Sequence, residues 1–130
     1  MMTRTPRFLA LAAVAVLAAG APAVSLAAAP RVIDVKIGSY YIKPDKISVT
    51  VNQPVTLVIK NQGWLIPHDL VVKAPSAGVD FKVNLHGGQS GSVTFTPTRT
   101  GSYKMYCDKK PWFGKSHEAR GMHGVLEVVP

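Results

Sequence analysis

From Val32 to the C-terminus, apolar residues recur at every second position in short runs, and each run is bounded by Pro, Gly or Asn. Ile47-Ser-Val-Thr-Val51 shows the pattern clearly: Ile47, Val49 and Val51 share one face, while Ser48 and Thr50 share the other. Period-two alternation of this length marks strands with one buried face. It predicts strands near Val32–Ile37, Lys46–Val51, Val55–Lys60, His68–Lys73, Ser90–Thr96, Ser102–Tyr106 and Gly124–Val129, with Phe81–Leu85 as an eighth. Turn residues separate them at Lys43-Pro44-Asp45, Asn52-Gln53-Pro54, Asn61-Gln62-Gly63, Pro75 to Gly78, His86-Gly87-Gly88 and Thr98 to Gly101. No segment sustains a helical period. The expectation is an all-β domain, a two-sheet antiparallel Greek-key β-sandwich of seven or eight strands.

The first stretch reads differently. Arg4 and Arg7 form a positive region, Phe8 to Ala19 an apolar one, and Ser25-Leu26-Ala27 a small-residue cleavage site. Together they make residues 1–27 a secretory signal peptide and residues 28–130 the functional domain. The apolar run, broken at Gly20 and Pro22, is short for a membrane span, although an uncleaved anchor is the alternative. Export to the periplasm, or otherwise out of the cytoplasm, is expected.

The 15 basic residues outnumber the 7 acidic ones. The lysines are scattered along the chain rather than gathered in a stripe, and an exported protein seldom meets nucleic acid, so no nucleic-acid role is expected. An acidic protein partner or an anionic membrane surface suits the charge better. Membrane contact is expected to be peripheral at most, and the protein a monomer. The single cysteine, Cys107, excludes an intramolecular disulfide. A lone thiol in an oxidising compartment needs protection or a role, and metal ligation supplies both.

Strand parity sharpens that reading. Cys107 shares a strand face with Tyr103 and Met105, and His68 shares one with Leu70 and Val72, while Asp69 and Lys73 alternate away. Met122 shares a face with Gly124, Leu126 and Val128, which leaves His123 outward with Val125 and Glu127. His117 lies in a loop, where parity is silent. Two imidazoles, a thiolate and a thioether form the soft donor set of a copper electron-transfer site. Zinc also takes His and Cys, but an inward Met122 favours a softer metal. Individually, each residue has a plainer reading as core, since a free Cys or Met packs as a hydrophobe. His86, beside Gly87-Gly88, reads as a solvated turn residue.

Gly101-Ser-Tyr-Lys-Met-Tyr-Cys107 resembles the Gly-x-Tyr-x-x-x-Cys approach to the metal loop of plastocyanin- and pseudoazurin-like cupredoxins. His117-Glu-Ala-Arg-Gly-Met122-His-Gly124-Val-Leu-Glu-Val128 is similar to their His-x-x-x-Gly-Met-x-Gly-x-Leu-x-Val exit. Upstream, Ile47 to Leu57, Asn61 and Pro67-His68-Asp69 resemble the segments leading to the family's first histidine. The resemblance implies one mononuclear type 1-like copper site, with His68, Cys107 and His117 as equatorial ligands and Met122 as the weak axial one. It also implies a single-electron carrier rather than an enzyme. A copper-delivery protein without redox cycling is the alternative. A multicopper oxidase would need His-x-His pairs, which are missing here.

The chain departs from the family at one place. Nine residues, Asp108 to Ser116, separate Cys107 from His117, where the family has a shorter run. Pro111, Trp112 and Phe113 in this loop are expected to close over the metal as a lid, or Trp112 and Phe113 to form a docking patch beside His117, with packing into the core as the alternative. Lys109, Lys110 and Lys115 flank them and are expected to steer acidic docking surfaces of a redox donor and acceptor. Asn61 and Asp69 are the candidates for hydrogen bonds that brace the ligands.

Overall fold

The computed structural model describes residues 19–23 and 29–130, so most of the expected signal peptide, and the boundary after Ala27, lie outside the described residues. Nine strands follow in chain order: β1 (Arg31–Gly38), β2 (Tyr41–Lys43), β3 (Lys46–Thr50), β4 (Val55–Asn61), β5 (His68–Ala74), β6 (Val79–Leu85), β7 (Ser90–Phe95), β8 (Gly101–Tyr106) and β9 (His123–Val129). The only helical pieces among the described residues are two 3₁₀ turns, Pro75–Ala77 and Glu118–Arg120. No helix among these residues is long and apolar enough to cross a membrane.

The strands form two packed sheets, β2-β1-β4-β7 and β3-β9-β8-β5-β6. Each contributes its apolar parity to the space between them: Val35 and Ile37 from β1, Val55, Leu57 and Ile59 from β4, Ile47 and Val49 from β3, and Leu126 and Val128 from β9. Fully burying side chains of this size stabilises by about 1.5–3 kcal/mol each, so the alternation seen in the sequence is the main force joining the sheets.

Two expectations need correction. The sheets are mixed rather than antiparallel, because β1 runs parallel to β4 and β3 parallel to β9. A strand buried on one face alternates identically in either pairing, so period two carries no information on direction; the crossovers between sheets decide it. β2 was also not anticipated, since its three residues are too few to display a period. Its register on β1, Lys36 opposite Lys43, is set by the turn between them.

Strand β5 breaks the alternation. His68 through Val72 are all buried, on both faces. Asp69, expected to alternate away from the core, does leave that face but is covered as well, because the chain after Cys107 and the Lys82 side chain lie over it. The end of β4, the start of β5, the end of β8 and the start of β9 meet at one pole of the sandwich. Ile37 pairs with Asn61 there, and Tyr106 with His123.

Candidate metal centre

Three strand ends and one loop deliver the predicted donors to that pole. His68 opens β5, Cys107 follows β8, His117 precedes the second 3₁₀ turn, and Met122 precedes β9. One donor atom from each of His68, Cys107 and His117 lies within 4.8 Å of the others. His68 Nδ1 is 3.2 Å from His117 Nδ1, and Cys107 Sγ is 3.7 Å from His117 Nδ1. Met122 is fully buried and its main chain ties two of the others together. Its N–H donates to the His117 carbonyl at 3.1 Å, and its carbonyl accepts from the Cys107 N–H at 3.1 Å.

These separations suit one transition-metal ion. Bonds of about 2.0 Å to nitrogen and 2.3 Å to sulfur are long enough to span both separations from one shared centre. The donor chemistry agrees: two nitrogens, a thiol sulfur and a nearby buried thioether match copper better than harder metals. In the metal-free protein, burial, with repulsion from His117 second, pulls the His68 imidazole down to about 4. Burial, and then Arg120, lowers His117 too. Burial pushes the Cys107 thiol up to about 11. The pocket therefore favours neutral donors until a cation replaces the thiol proton.

The long loop does not displace His117, and the reason is a single backbone bond. The His117 N–H donates to the Lys109 carbonyl at 2.9 Å. That bond pinches residues 110–116 into an excursion and lets Asp108 and Lys109 bridge to His117 as a short ligand loop would. Beyond His117 the 3₁₀ turn stops at Gly121, whose φ of 119° belongs to glycine and which leads the chain directly into Met122.

Asp69 braces the thiol from two directions. Its backbone N–H points at Cys107 Sγ, 3.5 Å away, and its Oδ1 accepts the Asp108 N–H at 2.8 Å. Burial pushes its carboxyl up. Oδ2 accepts no hydrogen bond, but Lys82 (3.5 Å) and Lys109 (3.8 Å) supply positive charge beside it. Asn61, also fully buried, acts elsewhere. Its Nδ2 donates to the Ile66 and Leu85 carbonyls, each at 3.1 Å, and its Oδ1 accepts the Gly63 N–H at 2.8 Å. It shapes the segment leading into His68 and does not touch the thiol-bearing loop.

Tyr40 was not anticipated as part of the site. Its ring packs edge-on against His117 at 5.3 Å and His68 at 6.5 Å, and Arg120 lies 5.0 Å above it. Ser39 Oγ sits 3.5 Å from His68 Nε2, which leaves Nδ1 facing the other donors. Both residues belong to the β1–β2 turn, and their partners are distant in the chain, so no spacing rule could have found them.

The lid expectation fails. Trp112 is 93% exposed and Phe113 66%, and their rings meet edge-to-face at 4.7 Å rather than covering the donors. Pro111 instead lines a groove with Ile66, Pro67, Lys109, Lys110 and His117, whose ring is thereby the donor nearest solvent. Lys110 and Lys115 are exposed, Lys109 is half-buried, and His86 and His123 are exposed and apart from the cluster. A wider open cleft between Tyr41–Lys46 and His123–Val125 holds none of the four donors.

Comparison with known proteins places these features. The family model for the cupredoxin-like domain matches residues 7–125. A search of the curated proteins finds no significant match. Among solved structures, the reduced auracyanin of the photosynthetic bacterium Roseiflexus castenholzii superimposes with a TM-score of 0.64 at 23% identity, covering 79% of this chain and 100% of that one. Auracyanin A of Chloroflexus aurantiacus, described as a "blue" copper protein, gives 0.56 at 21% identity over 75% of this chain and 99% of that one. A multicopper oxidase gives 0.61 at 17% identity, with 75% of this chain aligned to 41% of the oxidase.

Proposed function

The chain belongs to the cupredoxin-like family, whose cofactor is one copper ion, and from that premise we propose that it is an exported single-electron carrier with His68, Cys107, His117 and Met122 as its ligands. The observation that carries this reading is the convergence of three donor atoms within 4.8 Å in a buried pocket with Met122 alongside. Copper, when bound, supplies a one-electron couple.

The protein's own residues do the rest. The five-stranded sheet anchors His68, Cys107 and Met122 at the ends of β5, β8 and β9, so that the donors keep one arrangement through a change of metal charge. Asp69 holds the sulfur with a backbone N–H and ties down the following residue. Tyr40 and the surrounding core keep water from the donors. His117, whose ring lines the surface groove, is the contact offered to a redox partner. Donor and acceptor are read as redox proteins with acidic surfaces that approach the His117 ring at its groove. A carrier needs neither substrate pocket nor proton relay, and we read the protein as no enzyme and as a monomer.

The test is spectroscopic. The protein loaded with copper(II) should show intense visible thiolate-to-copper charge transfer that a mild reductant bleaches and reoxidation restores. Survival of the band in Cys107→Ser, or its absence from wild type, would refute the ligand set. Tight copper(I) binding with transfer to an apo-acceptor and no reversible couple would make it a delivery protein instead.

A further inference from the structure

The two loops bordering His117 carry both tryptophans of the chain. Trp64 is 86% exposed and Trp112 93%; beside them Leu65 (73%), Ile66 and Phe113 are exposed too. Five bulky apolar side chains gathered at one pole of a small domain mark an interaction surface.

The loops are built to project. Asn61 clamps the first through Ile66 and Gly63, and Gly87 packs so tightly on the Trp64 carbonyl that a Cβ there would overlap it. The second is the excursion closed by the Lys109–His117 backbone bond, with Trp112 and Phe113 packed edge-to-face at its tip. Charge completes the pattern. Residues 62–67 and 109–116 contain Lys109, Lys110 and Lys115 and no acidic residue. The carboxylates adjoining these loops in the chain are already engaged: Asp69 with Lys82 and Lys109, Asp108 with Lys82, and Glu118 with Lys104.

We propose that this pole is a peripheral docking surface for an anionic lipid bilayer. Trp64, Leu65, Trp112 and Phe113 enter the interfacial zone, and Lys109, Lys110 and Lys115 meet the headgroups. Indole rings favour the headgroup level of a bilayer. Apolar tips combined with lysines are the composition of elements that lie at a membrane surface, and anionic headgroups attract the lysines. A protein partner would need a preformed pocket for each projecting ring, whereas a fluid headgroup layer accommodates both. Docked in this way, the groove at His117 faces the membrane, so redox partners held there are found by a search in two dimensions. The proposal goes beyond electron transfer, and its failure would leave the copper chemistry untouched.

The tryptophans report on the surface directly. All nine strands lie within Arg31–Val129, so residues 28–130 carry the complete sandwich without the apolar leader. This protein, copper-loaded and reduced, is titrated with vesicles of phosphatidylglycerol and phosphatidylcholine, and with phosphatidylcholine alone. The expected result is a blue shift of tryptophan emission and co-sedimentation with the anionic vesicles only. Both should be reversed when salt is raised to about 0.5 M, where screening acts within a few Å. The Trp64→Ser/Trp112→Ser variant should sediment with the vesicles at least tenfold more weakly, while its melting temperature and, after reoxidation, its visible copper band match wild type. No shift with either vesicle, or equal sedimentation of the double variant, overturns the proposal. A shift produced by soluble polyglutamate but not by vesicles overturns it in favour of an acidic protein partner.

Discussion

Mild acid should destabilise the metal-free protein through His68. That imidazole is completely buried and sits at about 4, against 6.5 in the unfolded chain. Between those values the unfolded chain binds a proton that the folded chain refuses, so the stability contributed by His68 is complete above 6.5 and is lost as the pH falls toward 4. At roughly 1.4 kcal/mol per pH unit, the loss amounts to at most about 3 kcal/mol, a large share of the roughly 5–15 kcal/mol that holds a domain folded. His117 is shifted in the same direction and steepens the slope. Asp69 opposes it: burial raises its carboxyl from 3.8, so its contribution improves as the pH falls and acts at the bottom of the window. His68→Gln keeps a polar side chain of similar size without the titration. Guanidinium denaturation of both metal-free proteins from pH 7 to pH 4 isolates the term. Wild type should lose about 3 kcal/mol more than the variant over that range. Equal losses would refute the claim that the pocket holds this imidazole neutral.

Copper(II) binding at pH 7 should release one proton, because the Cys107 thiol sits at about 11 and both imidazoles are shifted toward their neutral form; calorimetry in buffers of different ionisation heat counts it. Asp69→Ala should lower stability by about 1–3 kcal/mol, since the Asp108 N–H loses its acceptor. Asp69→Asn, which keeps the Oδ1 acceptor, should cost less in the same thermal melt. Leu57→Ala, at a fully buried position in β4, should cost about 2–5 kcal/mol in denaturant titration. Replacing residues 111–115 by Gly-Gly should leave the visible copper band in place, because the Lys109–His117 bond rather than the loop tip positions the imidazole; a shifted or missing band would show that the tip supports the site.

Much of the molecule was legible in the order of its residues. Alternation located eight of the nine strands, since a side chain on a half-buried strand has only two directions to point. Parity placed Cys107, His68 and Met122 inward for the same reason, and the spacing around Cys107, His117 and Met122 resembled one family closely enough to anticipate the fold. Strand direction was invisible, because parallel and antiparallel pairs present the same alternation. The burial of Asp69 was hidden as well: what covers it, the loop at Asp108 and Lys109 and the Lys82 side chain of β6, comes from other parts of the chain.

Residue types and their periodicity thus determined the kind of fold and the chemistry of the donors, both of which are local properties of the chain. Tertiary structure alone decided whether His117 reaches the sulfur across nine intervening residues, through one backbone hydrogen bond at the neck of the loop. It also decided that Trp64 and Trp112 stand exposed, on the two loops that line the groove at His117, rather than in the core. Distances between segments far apart in sequence arise from packing, and no local pattern encodes them.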